Sequence, residues 1–198
     1  MELIFQVSRS QFISVVGNVA LALCVAFGIA YFLKDAQLGI LTDQEAAYYL
    51  KGLEPFSALF FAAIAGIWLF CSGLIAGYFD NRAGVLELKQ RYYHHPLLKK
   101  FLNDERREKV AKYLHEHHGA IAGNFFFGVL LGITPLIGSM FNLPLDIRHV
   151  AFSSAYLGYA SMYLESSVYE FLFYLACVLL IGMVNLFISF VLALKVSL

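Results

Sequence analysis

The chain has 198 residues, 60% of them hydrophobic and only 14% charged, with a mean hydropathy of +0.70. A soluble domain is nearer half apolar and a quarter charged, so this composition excludes an ordinary water-soluble globule and points to a membrane protein. Net charge is zero, but nine of the fourteen Lys and Arg residues lie between Asn81 and His118: Arg82, Lys89, Arg91, Lys99, Lys100, Arg106, Arg107, Lys109 and Lys112. Charge asymmetry of this kind is a topology signal here before it is a nucleic-acid signal.

Met1 to Ser10 lacks the basic region and small-residue cleavage site of a signal peptide, so the first apolar run is expected to stay as an anchor. That run, residues 12–33, has the ~20-residue length a helix needs to cross roughly 30 Å of hydrocarbon. Asn18, its strongly polar residue, sits beside Gly17 and reads as part of a helix–helix contact. Residues 34–54 form a polar loop with more acidic than basic residues, expected outside the cell. Thr42-Asp43-Gln44-Glu45 has the spacing of a capping box, which predicts a short helix to Lys51 that ends at Gly52.

Pro55 suits the first turn of a second span, residues 56–79, because it has no amide proton to satisfy. Gly73 and Gly77 form a GxxxG pair, with Gly66 on roughly the same face, and small residues let membrane helices approach closely. Asp80-Asn81-Arg82 then marks a boundary, read chiefly as a helix-terminal cap.

The basic stretch 81–118 is expected in the cytoplasm by the positive-inside rule. Pro96 opens a short helix carrying Leu97, Leu98, Phe101 and Leu102, and Asn103 caps a second one with Asp104 and Glu105 in its first turn. Val110, Tyr113 and Leu114 supply an apolar stripe there. The result reads as a basic amphipathic helical hairpin, resting against anionic lipid head groups. DNA is not the expected partner, because nothing resembles a recognition helix.

Residues 119–140 form the third span, rich in glycine, with GxxxG pairs at Gly119–Gly123 and Gly128–Gly132 and a kink expected at Pro135. The fourth, 147–164, is the weakest, and Ser153, Ser154, Tyr156, Tyr159 and Ser161 suit it to a bundle interior. The fifth, 168–194, is long and strongly apolar. The expectation is therefore an all-α polytopic transmembrane bundle of about five spans, a single membrane domain over 1–198. Four spans plus a re-entrant segment is the alternative. A faint internal repeat is suggested by Ala-Ile-Ala-Gly at both 63–66 and 120–123.

Cys24, Cys71 and Cys177 each fall inside an apolar run and read as buried free thiols. The histidine cluster His115, His117, His118 is the most metal-like, but only His115 and His118 share a helix face, so no metal or other cofactor is expected. Asp146, Arg148 and His149 are ionisable groups at the edge of a span, where such residues are expensive and usually pair. They are read equally as a functional cluster and as an Asp–Arg pair closing a turn.

Three stretches together resemble a known family: Gly73-Leu-Ile-Ala-Gly-Tyr-Phe-Asp-Asn81, Gly119-Ala-Ile-Ala-Gly-Asn-Phe-Phe-Phe-Gly128 and Leu143-Pro-Leu-Asp-Ile-Arg-His-Val-Ala-Phe-Ser-Ser154. They are similar to the C-terminal membrane region of bacterial proteins described as Gcr-type site-specific recombinases. The resemblance implies a membrane-embedded piece of a longer protein and a label of DNA recombination, but brings no catalytic residues with it. Val7-Ser8-Arg9-Ser10-Gln11 faintly echoes the resolvase nucleophile motif, with Gln6 where that motif has arginine. Covalent DNA cleavage needs a basic groove beside its nucleophile, and none is read here.

The candidate functional residues are thus Asp80, Asn81, Arg82, Asn124, Asp146, Arg148 and His149, with no catalytic assignment. The leading expectation is a glycine-packed inner-membrane module that anchors or couples a cytoplasmic region, with homo-oligomerisation left open. A small-solute or ion transporter is the second reading, if Asp146, Arg148 and Asn185 converge on a midplane cavity. Recombination, and an enzyme acting on lipid head groups through Asp80 and the histidines, are further alternatives.

Overall fold

The structure, a computed structural model, describes residues 2–36, 38 and 41–197, with the side chains of 2–8, 10, 11 and 197 outside the description. Among the described residues there are nine helices and no strand. They are α1 (Glu2–Asp35), α2 (Asp43–Lys51), α3 (Pro55–Val85), α4 (Leu88–Tyr93), α5 (Pro96–Phe101), α6 (Asp104–Glu116), α7 (His118–Phe141), α8 (Val150–Tyr163) and α9 (Val168–Ser197).

Local chemistry sets most helix starts. Thr42 and Glu45 form a reciprocal capping box at α2: the Glu45 amide donates to Thr42 Oγ1 at 3.3 Å and the Thr42 amide to Glu45 Oε2 at 2.8 Å. Pro55 opens α3, Pro96 opens α5, and Asn103 caps α6 by accepting from the Arg106 amide at 3.0 Å. Ser167 and Glu170 build a second capping box at α9, with the same x-x spacing as Thr42 and Glu45, a signal present in the sequence but missing from the expected helix starts.

Four helical stretches are long and apolar enough to cross a membrane: Phe12–Asp35, Pro55–Val85, His118–Phe141 and Val168–Val196. In the most apolar window of each, only 17% or 28% of the residues are buried. A helix of a soluble protein hides its apolar stripe and shows a polar face to water; these are apolar on the outward faces as well. Phe12, Leu21, Phe60, Phe125, Met183 and Phe187 all stand exposed.

The segment expected as a fourth of five spans departs from that expectation. α8 has 14 residues, so at ~1.5 Å per residue it extends only about 21 Å, short of the roughly 30 Å of hydrocarbon. It is also the most enclosed helix, with Val150, Ser153, Ser154, Leu157, Gly158, Ala160 and Ser161 buried. At that length α8 is not among the four described helices that are long and apolar enough to cross a membrane.

The described chain forms two compact units, residues 1–67 with 137–198 and residues 68–136. In the first unit α8 lies along α1, with α2 and α9 also against it. The core there is Val15 and Val19 of α1, Leu50 of α2, Ala58 and Ala62 of α3, Val150 and Leu157 of α8, and Val178 and Ile181 of α9. Close approach depends on small residues: a Cβ on Gly158 would lie 2.7 Å from the Leu23 carbonyl oxygen, and one on Gly66 2.8 Å from that of Asn185. In the second unit α4 and α6 pack against each other and α5 bridges them, with Ala111 of α6 fully buried.

Candidate functional site

In the first unit the polar residues gather where α8 begins. Asn185, in the middle of α9, is 1% exposed. Its Nδ2 donates to the Ala62 carbonyl at 2.8 Å and to the Arg148 carbonyl at 3.0 Å, and its Oδ1 accepts from the Val150 amide at 3.0 Å. One carboxamide therefore ties α3, the segment before α8 and the first amide of α8 together. An orphan amide at a helix start needs such a partner, above all where water is excluded.

Next to this knot, Arg148 Nη2 donates to Asp146 Oδ2 at 2.7 Å, and Asp146 Oδ1 accepts from the Ile147 amide at 2.7 Å. The Arg148 side chain is 9% exposed and that of Asp146 40%. An arginine this buried needs its counter-ion, since an unpaired charge out of water is costly. The guanidinium lies against Gly52, where an added Cβ would come within 2.6 Å of Nη2. His149 is buried and is the N-cap of α8: the Ala151 amide donates to its Nδ1 at 3.4 Å. Burial alone lowers its pKa to about 4, so it is neutral at neutral pH.

Asp146 and Arg148 also line a cleft of about 370 Å³ with Lys51, Glu54, Ser57 and Phe61. Two cations, Lys51 and Arg148, and two carboxylates, Glu54 and Asp146, are among its lining residues. Asn185 does not join them there, because its whole carboxamide is used by backbone groups. It reaches Arg148 through the carbonyl alone, so the three residues are neighbours without converging on a cavity.

In the second unit Asp80 is the member of its triplet that bonds to another helix. α3 runs through Asp80, Asn81 and Arg82 to Val85, so they do not cap it as expected. Instead Asp80 Oδ1 accepts from the Gly119 amide at 2.7 Å, in the first turn of α7, where the positive end of the helix dipole favours a carboxylate. Arg82 donates to the Tyr78 hydroxyl at 3.0 Å and Asn124 to the Ala120 carbonyl at 2.8 Å, both along their own helices. Asn81 is exposed.

The glycine pairs expected to pack divide sharply. A Cβ on Gly119 would collide with the Ala76 carbonyl and the Asp80 carboxylate, and one on Gly123 would lie 2.9 Å from Ala76 Cβ. At Gly73, Gly77, Gly128 and Gly132 it would meet nothing within 4 Å. Among the described residues, then, the Gly119–Gly123 pair alone of the three is a contact.

Within the basic stretch 81–118, α4, α5 and α6 pack on one another. Arg107 bonds Asp104 at 2.5 Å and stacks 4.4 Å over the Tyr93 ring, joining α6 to α4. The Tyr93 hydroxyl and the Asp104 charge raise the pKa of Arg107 further. His118 Nδ1 bonds the Tyr92 hydroxyl at 3.0 Å, and no three His, Cys, Asp or Glu residues converge on a metal position among the described residues. Of the cysteines expected to be buried, Cys177 is, Cys71 is half-buried and Cys24 is exposed on its apolar helix. The side chains of Gln6, Val7, Ser8, Ser10 and Gln11, which carry the resolvase-like echo, lie outside the described residues.

A family model described as "Site-specific recombinase" matches residues 1–198, the whole chain. The chain belongs to the site-specific recombinase family. None of the curated proteins and none of the solved structures matches it. In this family member the one adjacent Arg–His pair, Arg148 and His149, is committed to an ion pair and a helix cap.

Proposed function

We propose that this member of the site-specific recombinase family is a multi-pass module of the bacterial inner membrane that anchors and couples a cytoplasmic region. Four helices cross, the N-terminus and residues 81–118 face the cytoplasm, and α8 is a short inserted segment. The observation that carries this reading is the pairing of outward apolar faces on four long helices with a folded basic layer between the second and third of them. In that layer Leu97 and Phe101 stand 60% and 73% exposed beside Lys99 and Lys100. Exposed apolar side chains flanked by lysines favour the lipid interface, and each basic residue near an anionic surface adds about 1 kcal/mol.

The test is accessibility of single cysteines, introduced into a variant lacking Cys24, Cys71 and Cys177, from each side of intact inner-membrane vesicles. Lys99→Cys and Lys195→Cys should label only from the cytoplasmic side, and Leu143→Cys only from the other. Label reaching Lys99→Cys solely from outside reverses the orientation, and outside labelling of Lys195→Cys restores a fifth crossing.

A second reading, solute binding, is supported by the cleft of Lys51, Glu54, Asp146 and Arg148. It gains ground if flux of a charged solute into proteoliposomes depends on Arg148 and Asp146. DNA is not a proposed partner, because the Arg148 and His149 groups that strand cleavage would need are already engaged.

A further inference from the structure

A second cavity in the first unit, about 470 Å³, opens between α1, α8 and α9 and is lined by Phe27, Lys34, Ser161, Met162, Glu165 and Phe171, among others. Its size is that of a small-ligand site, roughly 300–1,000 Å³. The cavity is distinct from the Asp146–Arg148 cleft. Its rim carries one ion pair, Lys34 Nζ to Glu165 Oε1 at 2.6 Å, linking the last turn of α1 to the turn before α9. Below the rim the wall is apolar, through Phe27, Met162, Val168 and Phe171.

We propose that this cavity binds the head group of a phospholipid bearing a primary ammonium, with the phosphate on Lys34 and the ammonium on Glu165. The inference rests on the reading that α1 and α9 cross the bilayer. Lys34 and Val168 then stand at span ends, the depth at which hydrocarbon gives way to head groups and lysines reach for the interface.

Three observations select this ligand chemistry, and a fourth shapes the rim. The rim presents one positive and one negative group, complementary to a zwitterion and not to a net anion. Their mutual contact is exposed, with side chains 36% and 78% accessible, and exposed ion pairs are weakly held and readily opened. Ser161, 7% exposed, lines the cavity, and its buried hydroxyl has no hydrogen-bond partner among the described residues, leaving a donor unspent at this wall. Glu165 occupies a left-handed backbone conformation (φ 52°), which turns the chain tightly at the rim.

A primary ammonium has N–H donors for the Glu165 carboxylate, whereas a quaternary choline has none. Losing a charge-assisted hydrogen bond of ~1.5–3 kcal/mol corresponds to about tenfold or more in affinity. The test uses the full chain in detergent, with binding of acyl-matched phosphatidylethanolamine, phosphatidylcholine and phosphatidylglycerol measured by native mass spectrometry. The ethanolamine lipid should bind about tenfold tighter than the choline lipid. Glu165→Gln should erase that preference, and Lys34→Gln should weaken all three. Equal binding of the ethanolamine and choline lipids overturns the proposal, as does a preference that survives Glu165→Gln or tighter binding of the glycerol lipid. Carbonate extraction of the native membranes tests the membrane reading separately, because the lipid assay in detergent reports on the cavity alone.

Discussion

The Asn185 side chain on α9 accepts from the Val150 amide, the first of α8, and closes the circle through the Arg148 and Ala62 carbonyls. A single carboxamide thus supplies the cap that a buried, short helix cannot take from water. The same residue connects three segments far apart in the chain.

Asn185→Ala should leave the Val150 amide and the Arg148 carbonyl without the partner seen here, while the Ala62 carbonyl keeps its bond within α3. Unmade buried hydrogen bonds cost about 1–3 kcal/mol each in water-soluble proteins, while inter-helix side-chain bonds in membranes average about 0.6 kcal/mol. The expected loss is therefore about 2 kcal/mol overall, read as a lowered Tm in detergent. A thiol introduced by Ser153→Cys, at a position buried in the native protein, should become open to labelling in the same background. An unchanged Tm together with a thiol that stays protected would show that the carboxamide is not what holds α8.

Asp146→Asn should strand the Arg148 guanidinium. Removing one partner of a fully buried pair costs about 3–5 kcal/mol. The partial exposure of Asp146 lowers the expectation here to about 2 kcal/mol. The double variant Asp146→Asn/Arg148→Met should recover most of it, because an apolar side chain needs no counter-ion. A double variant no more stable than Asp146→Asn argues that the guanidinium is stabilised by something other than Asp146.

Two GxxxG pairs of one helix should answer alanine with opposite signs. At Gly119 the new methyl group meets the Ala76 carbonyl and Asp80, and overpacking costs about 1–3 kcal/mol. At Gly128 and Gly132 it meets open space, and the gain in helix propensity is about 0.5–1 kcal/mol. Thermal unfolding of the three variants decides. Destabilisation at Gly128 and Gly132 would instead place that face in contact with a second copy of the chain.

Acid should destabilise the α8 region through His149. Its folded pKa, about 4, lies below the ordinary 6.5, so the unfolded chain binds the proton first. Stability is complete above pH 6.5 and falls as pH drops from 6.5 towards 4, by about 3 kcal/mol at the lower end. His149→Asn keeps a good capping side chain while removing the titration. Its Tm should stay flat between pH 6.5 and 4 where that of the native protein declines; parallel declines would assign the acid sensitivity elsewhere.

Hydropathy, run length and capping residues are properties of neighbouring positions, and they settled much of this protein by themselves. Four long apolar helices, the starts at Thr42, Pro55, Pro96 and Asn103, and the basic segment between two apolar runs all follow from contacts within a turn or a bilayer thickness. What hydropathy could not decide was the identity of distant partners. α8 looked like a weak span because its serines and tyrosines are only moderately polar, and its enclosure by α1, α2 and α9 is a tertiary fact. Asp80 reads as the end of its own helix, yet its acceptor serves Gly119, 39 positions away. Three GxxxG pairs are indistinguishable along the chain, and the backbone of α3 closes on only one of them. Asn185 is a lone polar residue in an apolar run; the amide it satisfies exists only because α8 begins, out of reach of water, beside α9.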